Sequence, residues 1–139
     1  DVYASSGSKA RRVVVTEGVE TLGKNDNRKD VDPHVWHDVA NVMIMTEWVR
    51  DGLIAADEVN APYYRENAEI YLTKLGELNH AIIDTLKDLS DTQRQLVTAH
   101  DSLGYFAKRY GFKIGKKPEY KKAVVTLKKG EKIDTAVTK

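Results

Sequence analysis

The sequence contains no cysteine, which excludes disulfides, thiolate metal sites and cysteine nucleophiles. No apolar run approaches the ~20 residues of a membrane-spanning helix. The Gly-x-Ser-x-Gly elbow of a serine hydrolase is missing, although Ser102 lies close to His100. A phosphate loop and a Gly-x-Gly-x-x-Gly dinucleotide fingerprint are absent as well. No motif places a general base, so the chain reads as a binding protein and not an enzyme. Neither an initiator methionine nor a secretory leader stands at Asp1, as expected of a processed chain or an excerpt of a longer one.

What is present suits a folded body. The chain has 139 residues, 31 % charged and 41 % hydrophobic, enough for one domain with a core and too apolar for disorder over most of its length. The net charge of +1 hides an asymmetry. From Lys113 to Lys139 nine lysines face three acidic residues, a net +6, which leaves residues 1–112 at −5. With Gly111, Gly115 and Pro118 in the same stretch, this marks a boundary between an acidic body and a basic tail. The tail reads first as a solvated face, and nucleic-acid contact is the lesser alternative.

Local patterns predict the elements. Val13-Val14-Val15 suggests a buried strand within Arg11 to Glu17. Residues 23–30 (GKNDNRKD) are a surface loop. Asp38 caps a predicted helix to about Ala55, with Val42, Met45, Val49 and Leu53 on one face. After Pro62, apolar residues recur at Tyr64, Ala68, Tyr71, Leu75, Leu78, Ile82 and Leu89, with Leu86 adjoining. That stripe predicts a helix of more than seven turns, roughly 40 Å long. It is long enough for a strut between two lobes or a coiled-coil strand pairing with a second copy. Gln95 to Ala99 reads as a strand, Leu103 to Tyr110 as a helix closed by Gly111, and residues 123–127 and 133–137 as a hairpin around Lys129-Gly130.

Two histidines stand where a site is expected. His34 ends an extended Asp32-Pro33 approach just before a helix, and His100 follows a strand just before another. In α/β folds ligands gather beyond the carboxyl ends of strands, and neutral imidazole ligates zinc and similar metals. A capping or buried hydrogen-bonded role is the alternative for both. His37 is close enough to His34 to assist a metal if the segment turns. His80, on the long helix, reads as structural or solvent-facing.

The residues carry a resemblance. Asp32-Pro33-His34-Val35-Trp36 and residues 98–106 (TAHDSLGYF), with Arg109-Tyr110-Gly111 after them, resemble the zinc and manganese solute-binding proteins of ABC importers. Residues 14–19 (VVTEGV) and 60–71 (NAPYYRENAEIY) resemble the same family, so the likeness spans roughly residues 10–112. It implies an α/β, mostly helical fragment of a two-lobed metal-binding protein. Residues 1–59 would be a partial first lobe, 60–90 the connecting helix, 91–112 the start of the second lobe, and 113–139 the basic tail with its possible β-hairpin. It also implies that His34 and His100 ligate the metal, one from each lobe, with Asp101 and His37 as possible auxiliaries. Trp36, Tyr105 and Phe106 would wall the site. Zinc, or next manganese, would be bound as cargo and passed to a membrane permease from a periplasmic or extracytoplasmic position, membrane-anchored in the full-length protein. The histidine-rich loop of many zinc members is missing, and two of the family's four ligands have no counterpart here. The tail, with Lys116-Lys117-Pro118, resembles instead a hairpin of a bacterial large-subunit ribosomal protein.

Overall fold

The computed structural model describes residues 5–23, 31–98 and 102–116. Two long helices dominate it. Helix α1 (Val39–Ala56) begins where expected, because the Asp38 carboxylate accepts the Ala40 amide at 2.9 Å. A single 3₁₀ turn, Val35–His37, feeds into it, and the buried Asn41 side chain donates to the Val35 carbonyl at 3.0 Å. Val42 and Met45 are half-buried as the period predicts, but Val49 and Leu53 are about half exposed. In the last turns the covered positions are instead Gly52 and Ile54, both half-buried.

Helix α2 (Ala61–Leu86) has 26 residues and Pro62 in its first turn. At ~1.5 Å per residue it runs roughly 39 Å. Ala61, Ala68 and Leu75 are its buried residues, exactly seven apart in sequence, and half-buried Tyr64, Leu72, Asn79, Ile82 and Leu86 fill the seam. The predicted stripe is thus displaced at two positions. Tyr71 and Leu78 lie on the exposed flank, while Leu72 and Asn79 face inward. The reason is polar: the Asn79 side-chain oxygen accepts from the Tyr110 hydroxyl at 3.2 Å, which draws that edge of the helix against the chain's later half.

Beyond α2, strand β1 (Gln95–Thr98) pairs in parallel with β2 (Lys113–Lys116), Gln95 opposite Lys113 and Thr98 opposite Lys116. Helix α3 (Gly104–Tyr110) bridges them and stops at Gly111, whose φ of +74° suits glycine. Strand β2 lies just past the charge boundary at Phe112, wholly within the basic stretch. The basic stretch therefore begins inside the fold, because ladder hydrogen bonds come from the backbone and do not read charge. The predicted hairpin at residues 123–137 lies outside the described residues.

Arg94 binds these parts together. Its guanidinium donates to the Leu86 carbonyl at 2.7 Å, the Leu89 carbonyl at 3.2 Å and the Tyr110 carbonyl at 2.8 Å. It thereby caps the carboxyl ends of α2 and α3 at once. The same group stands 5.8 Å from the centroid of the Phe112 ring.

The predicted strand at Arg11–Glu17 does not form. The segment is irregular and closes in turns, with Glu17 N donating to Val14 O and Val19 N to Thr16 O. Val13 packs instead on α1 at Gly52, where any Cβ would lie 2.8 Å from a Val13 methyl. The β-branched run serves side-chain packing, and among the described residues no strand pairs with it. The central cluster is Val19, Val35 and Tyr105, with Leu22, Ile44 and Met45 against it. Residues from both ends of the described chain share that core.

Candidate metal centre

The His34 segment is fixed by its backbone. Val31 bridges Gly23 in antiparallel fashion, and the Asp32 amide donates to the Leu22 carbonyl at 2.8 Å. Buried Val35 then anchors the 3₁₀ turn and sets His34 at its entrance. The side chain of Asp32 turns back on the segment: Oδ1 accepts the His34 amide at 3.0 Å and contacts His34 Nδ1 at 2.6 Å. A carboxylate two residues before the amide it accepts is a common local turn for aspartate. The Asp-Pro-His order in the sequence is its visible signal.

That pair has a chemical consequence. A carboxylate oxygen only accepts, so Nδ1 carries the proton and the lone pair of the neutral ring falls on Nε2. A carboxylate that orients an imidazole this way is the usual outer support of a metal-binding histidine. The two side chains are 17 % and 21 % exposed, shielded and still reachable from solvent. Trp36 meets the His34 ring edge-on at 5.6 Å, and the His37 ring is 6.3 Å away.

Helix α3 backs the segment from behind. Tyr105 is 2 % exposed; its hydroxyl accepts the Leu22 amide at 2.9 Å and donates to the Asp32 carbonyl at 2.9 Å. Its ring joins the core, so Tyr105 supports the His34 loop from within. Phe106 packs at a tilt against Tyr110 and Phe112, at 4.8 and 5.6 Å between centroids. Of the three aromatic residues expected as a wall, Trp36 is the exposed one, at 52 %. Around the rim, Arg109 Nε approaches Asp38 Oδ1 at 3.7 Å. Burial, with the Asp38 carboxylate adding to it, raises the Tyr110 hydroxyl above its ordinary pKa.

The structure brings His34, His37 and Trp36 together. His100 and Asp101 lie outside the described residues, between β1 and α3 in sequence. His80 is exposed on α2. Among the described residues no three metal-ligating side chains converge. Two contacts of the His34 segment escaped the sequence reading. One is the hold of Asp32 on His34. The other is the close approach of Gly104 to Asp32, which has no local signature.

The family model for the zinc-uptake complex component A, periplasmic, matches residues 1–137. The chain belongs to that family. The match runs through the basic segment, so the family likeness is wider than residues 10–112, and the ribosomal resemblance of the tail finds no support. Within the zinc-uptake component A family, the chain is 42 % identical over 82 residues to the manganese-binding lipoprotein MntA of Halalkalibacterium halodurans, covering 59 % of this chain and 27 % of that protein. It is 33 % identical over 102 residues to the iron-binding protein YfeA of Yersinia pestis, covering 72 % and 33 %. A manganese-bound mutant of the periplasmic metal binding protein from Candidatus Liberibacter asiaticus superposes with a TM-score of 0.70 at 27 % identity, over 83 % of this chain and 44 % of that one. The chain spans about a third of the length of these curated relatives.

Proposed function

We propose that this chain captures a divalent transition metal as part of the substrate-binding component of an ABC importer, without catalytic turnover. The observation that carries the reading is the Asp32–His34 pair, a carboxylate that orients an imidazole through Nδ1 and leaves Nε2 as its ligating nitrogen. In this reading His34 ligates from the first lobe and His100 from the start of the second. Asp101 and His37 serve as auxiliary ligands, and Trp36 flanks the ion. Two neutral imidazoles suit zinc better than manganese, since imidazole is a softer donor than carboxylate. Zinc is therefore the proposed cargo and manganese the second. The ion is delivered to a membrane permease on the outer side of the membrane, where relatives named as lipoproteins and periplasmic proteins work.

Zinc and manganese titration calorimetry on the metal-stripped chain tests this, beside a His34→Ala/His100→Ala double variant. Saturable binding near one ion per chain, weakened at least a hundredfold in the variant, is the expected result. Binding that the variant retains overturns the assignment.

A further inference from the structure

The two ends of the described chain approach closely at Gly104. A Cβ there would lie 2.8 Å from Asp32 Oδ2 and 3.5 Å from the Leu22 side chain. The other oxygen of the same carboxylate is the one that holds His34 by amide and ring. A carboxylate is rigid and planar, so whatever displaces Oδ2 also moves Oδ1.

The next residue removes the easy escape. The Tyr105 hydroxyl binds the Asp32 carbonyl and the Leu22 amide, while the Asp32 amide binds the Leu22 carbonyl. The Asp32 backbone is thus strapped from two directions, and the Tyr105 ring that carries the strap is buried. A group added at Gly104 has to be accommodated by the Asp32 side chain. Relief from 2.8 Å to ordinary contact at 3.4 Å or more requires at least 0.6 Å, beyond the ~0.5 Å within which a ligand must be held.

We infer that Gly104 and Tyr105 are positioning residues for the metal ligand: the first turn of α3 sets the orientation of His34 through Asp32. The inference rests on the metal-capture reading of His34 and assigns control of that ligand to a helix more than sixty residues later. Neither residue touches the metal in this scheme. Gly104 leaves the space that the carboxylate occupies, and Tyr105 fixes the backbone from which it projects.

The test uses the full chain with Gly104→Ala and Tyr105→Phe, the latter keeping ring volume and losing only the hydroxyl. Long-range proton–nitrogen NMR on metal-free protein reads the tautomer of His34, with His34→Gln assigning its signals. Zinc and manganese titrations follow on the same samples. In the original chain His34 carries its proton on Nδ1. Both variants are expected to lose that preference and to bind metal at least tenfold more weakly, Gly104→Ala more severely. General destabilisation lowers the melting temperature without redistributing the ring proton, so the tautomer separates positioning from folding. If Gly104→Ala does not fold, Tyr105→Phe decides. An unchanged tautomer in the folded variants, or a changed one with full metal affinity, overturns the inference. Failure of the original chain to bind either metal overturns the capture reading, and the tautomer comparison then decides the positioning claim alone.

Discussion

Asp32 and His34 form a closed unit in which one carboxylate oxygen holds both the amide and the ring nitrogen of the same histidine, at 3.0 and 2.6 Å. The unit is local, made within three residues, and yet it is braced by Tyr105 from the far end of the described chain. A preorganised side chain follows from that combination. On the proposed metal-capture reading, the histidine needs little reorientation when an ion arrives, because its proton is already on the nitrogen that would not ligate.

Replacing Asp32 with asparagine keeps the shape and removes the charge. The amide oxygen still accepts from the His34 backbone, but it polarises the ring less and weakens the Nδ1–H preference. Metal affinity is expected to fall about tenfold, and up to about a hundredfold. Calorimetric titration checks this, and circular dichroism should show the helices intact. Full affinity in Asp32→Asn would refute a supporting role for the carboxylate.

Arg94 is expected to resist conservative replacement. Its planar fork reaches three carbonyls at the ends of two helices, which a single ammonium cannot do. Arg94→Lys leaves at least one of these acceptors without its charged donor. Hydrogen bonds to charged groups contribute about 1.5–3 kcal/mol each, and water access at this half-buried position reduces the net effect. A loss of about 2 kcal/mol in urea unfolding is the predicted outcome. A loss below ~0.5 kcal/mol would show that the carbonyls are satisfied without it.

Much of this was legible in the sequence, and the failures share a cause. Asp38 announced α1, Pro62 announced α2, and Gly111 closed α3, because each acts on its immediate neighbours. The inward register of α2 was missed at Leu72 and Asn79, since a polar residue on the seam is indistinguishable from a surface one until Tyr110 is seen to bind it. Strand β2 was hidden by its lysines. The valines at 13–15 carried strand propensity but found a helix to pack on. Of the site, the Asp-Pro-His motif pointed to His34. Tyr105 could not be recognised as its brace, because its two partners are 73 and 83 residues away.

The turn between the long helices gives a pH-dependent prediction. The Asn60 side-chain amide at 2.7 Å and the Tyr64 hydroxyl at 2.9 Å both donate to Asp57 Oδ2, and they hold its carboxyl below the usual range. The folded state thus binds this proton less readily than the unfolded chain does. The stabilisation is complete above the unfolded pKa, about 3.9, and is lost as pH falls through the lower folded value. Asp57→Asn keeps an acceptor and removes the titration. Its urea midpoint should fall less than that of the original chain on acidification below about pH 4. Parallel curves would assign the acid sensitivity to other groups.

Gly52 separates local from global stability. Alanine is the better helix former by about 1 kcal/mol, but its methyl would lie 2.8 and 3.2 Å from the two methyls of Val13, and overpacking costs about 1–3 kcal/mol. The segment carrying Val13 is irregular and largely exposed, so it can lift away more cheaply than α1 can bend. Gly52→Ala should therefore free residues 11–17 while α1 keeps its protection. Hydrogen exchange reads the difference: faster exchange at the Glu17 amide, which donates to Val14, with α1 unchanged and a melting temperature at or above the original. Slower exchange at Glu17, or faster exchange along α1, would mean that the helix yields and the segment stays.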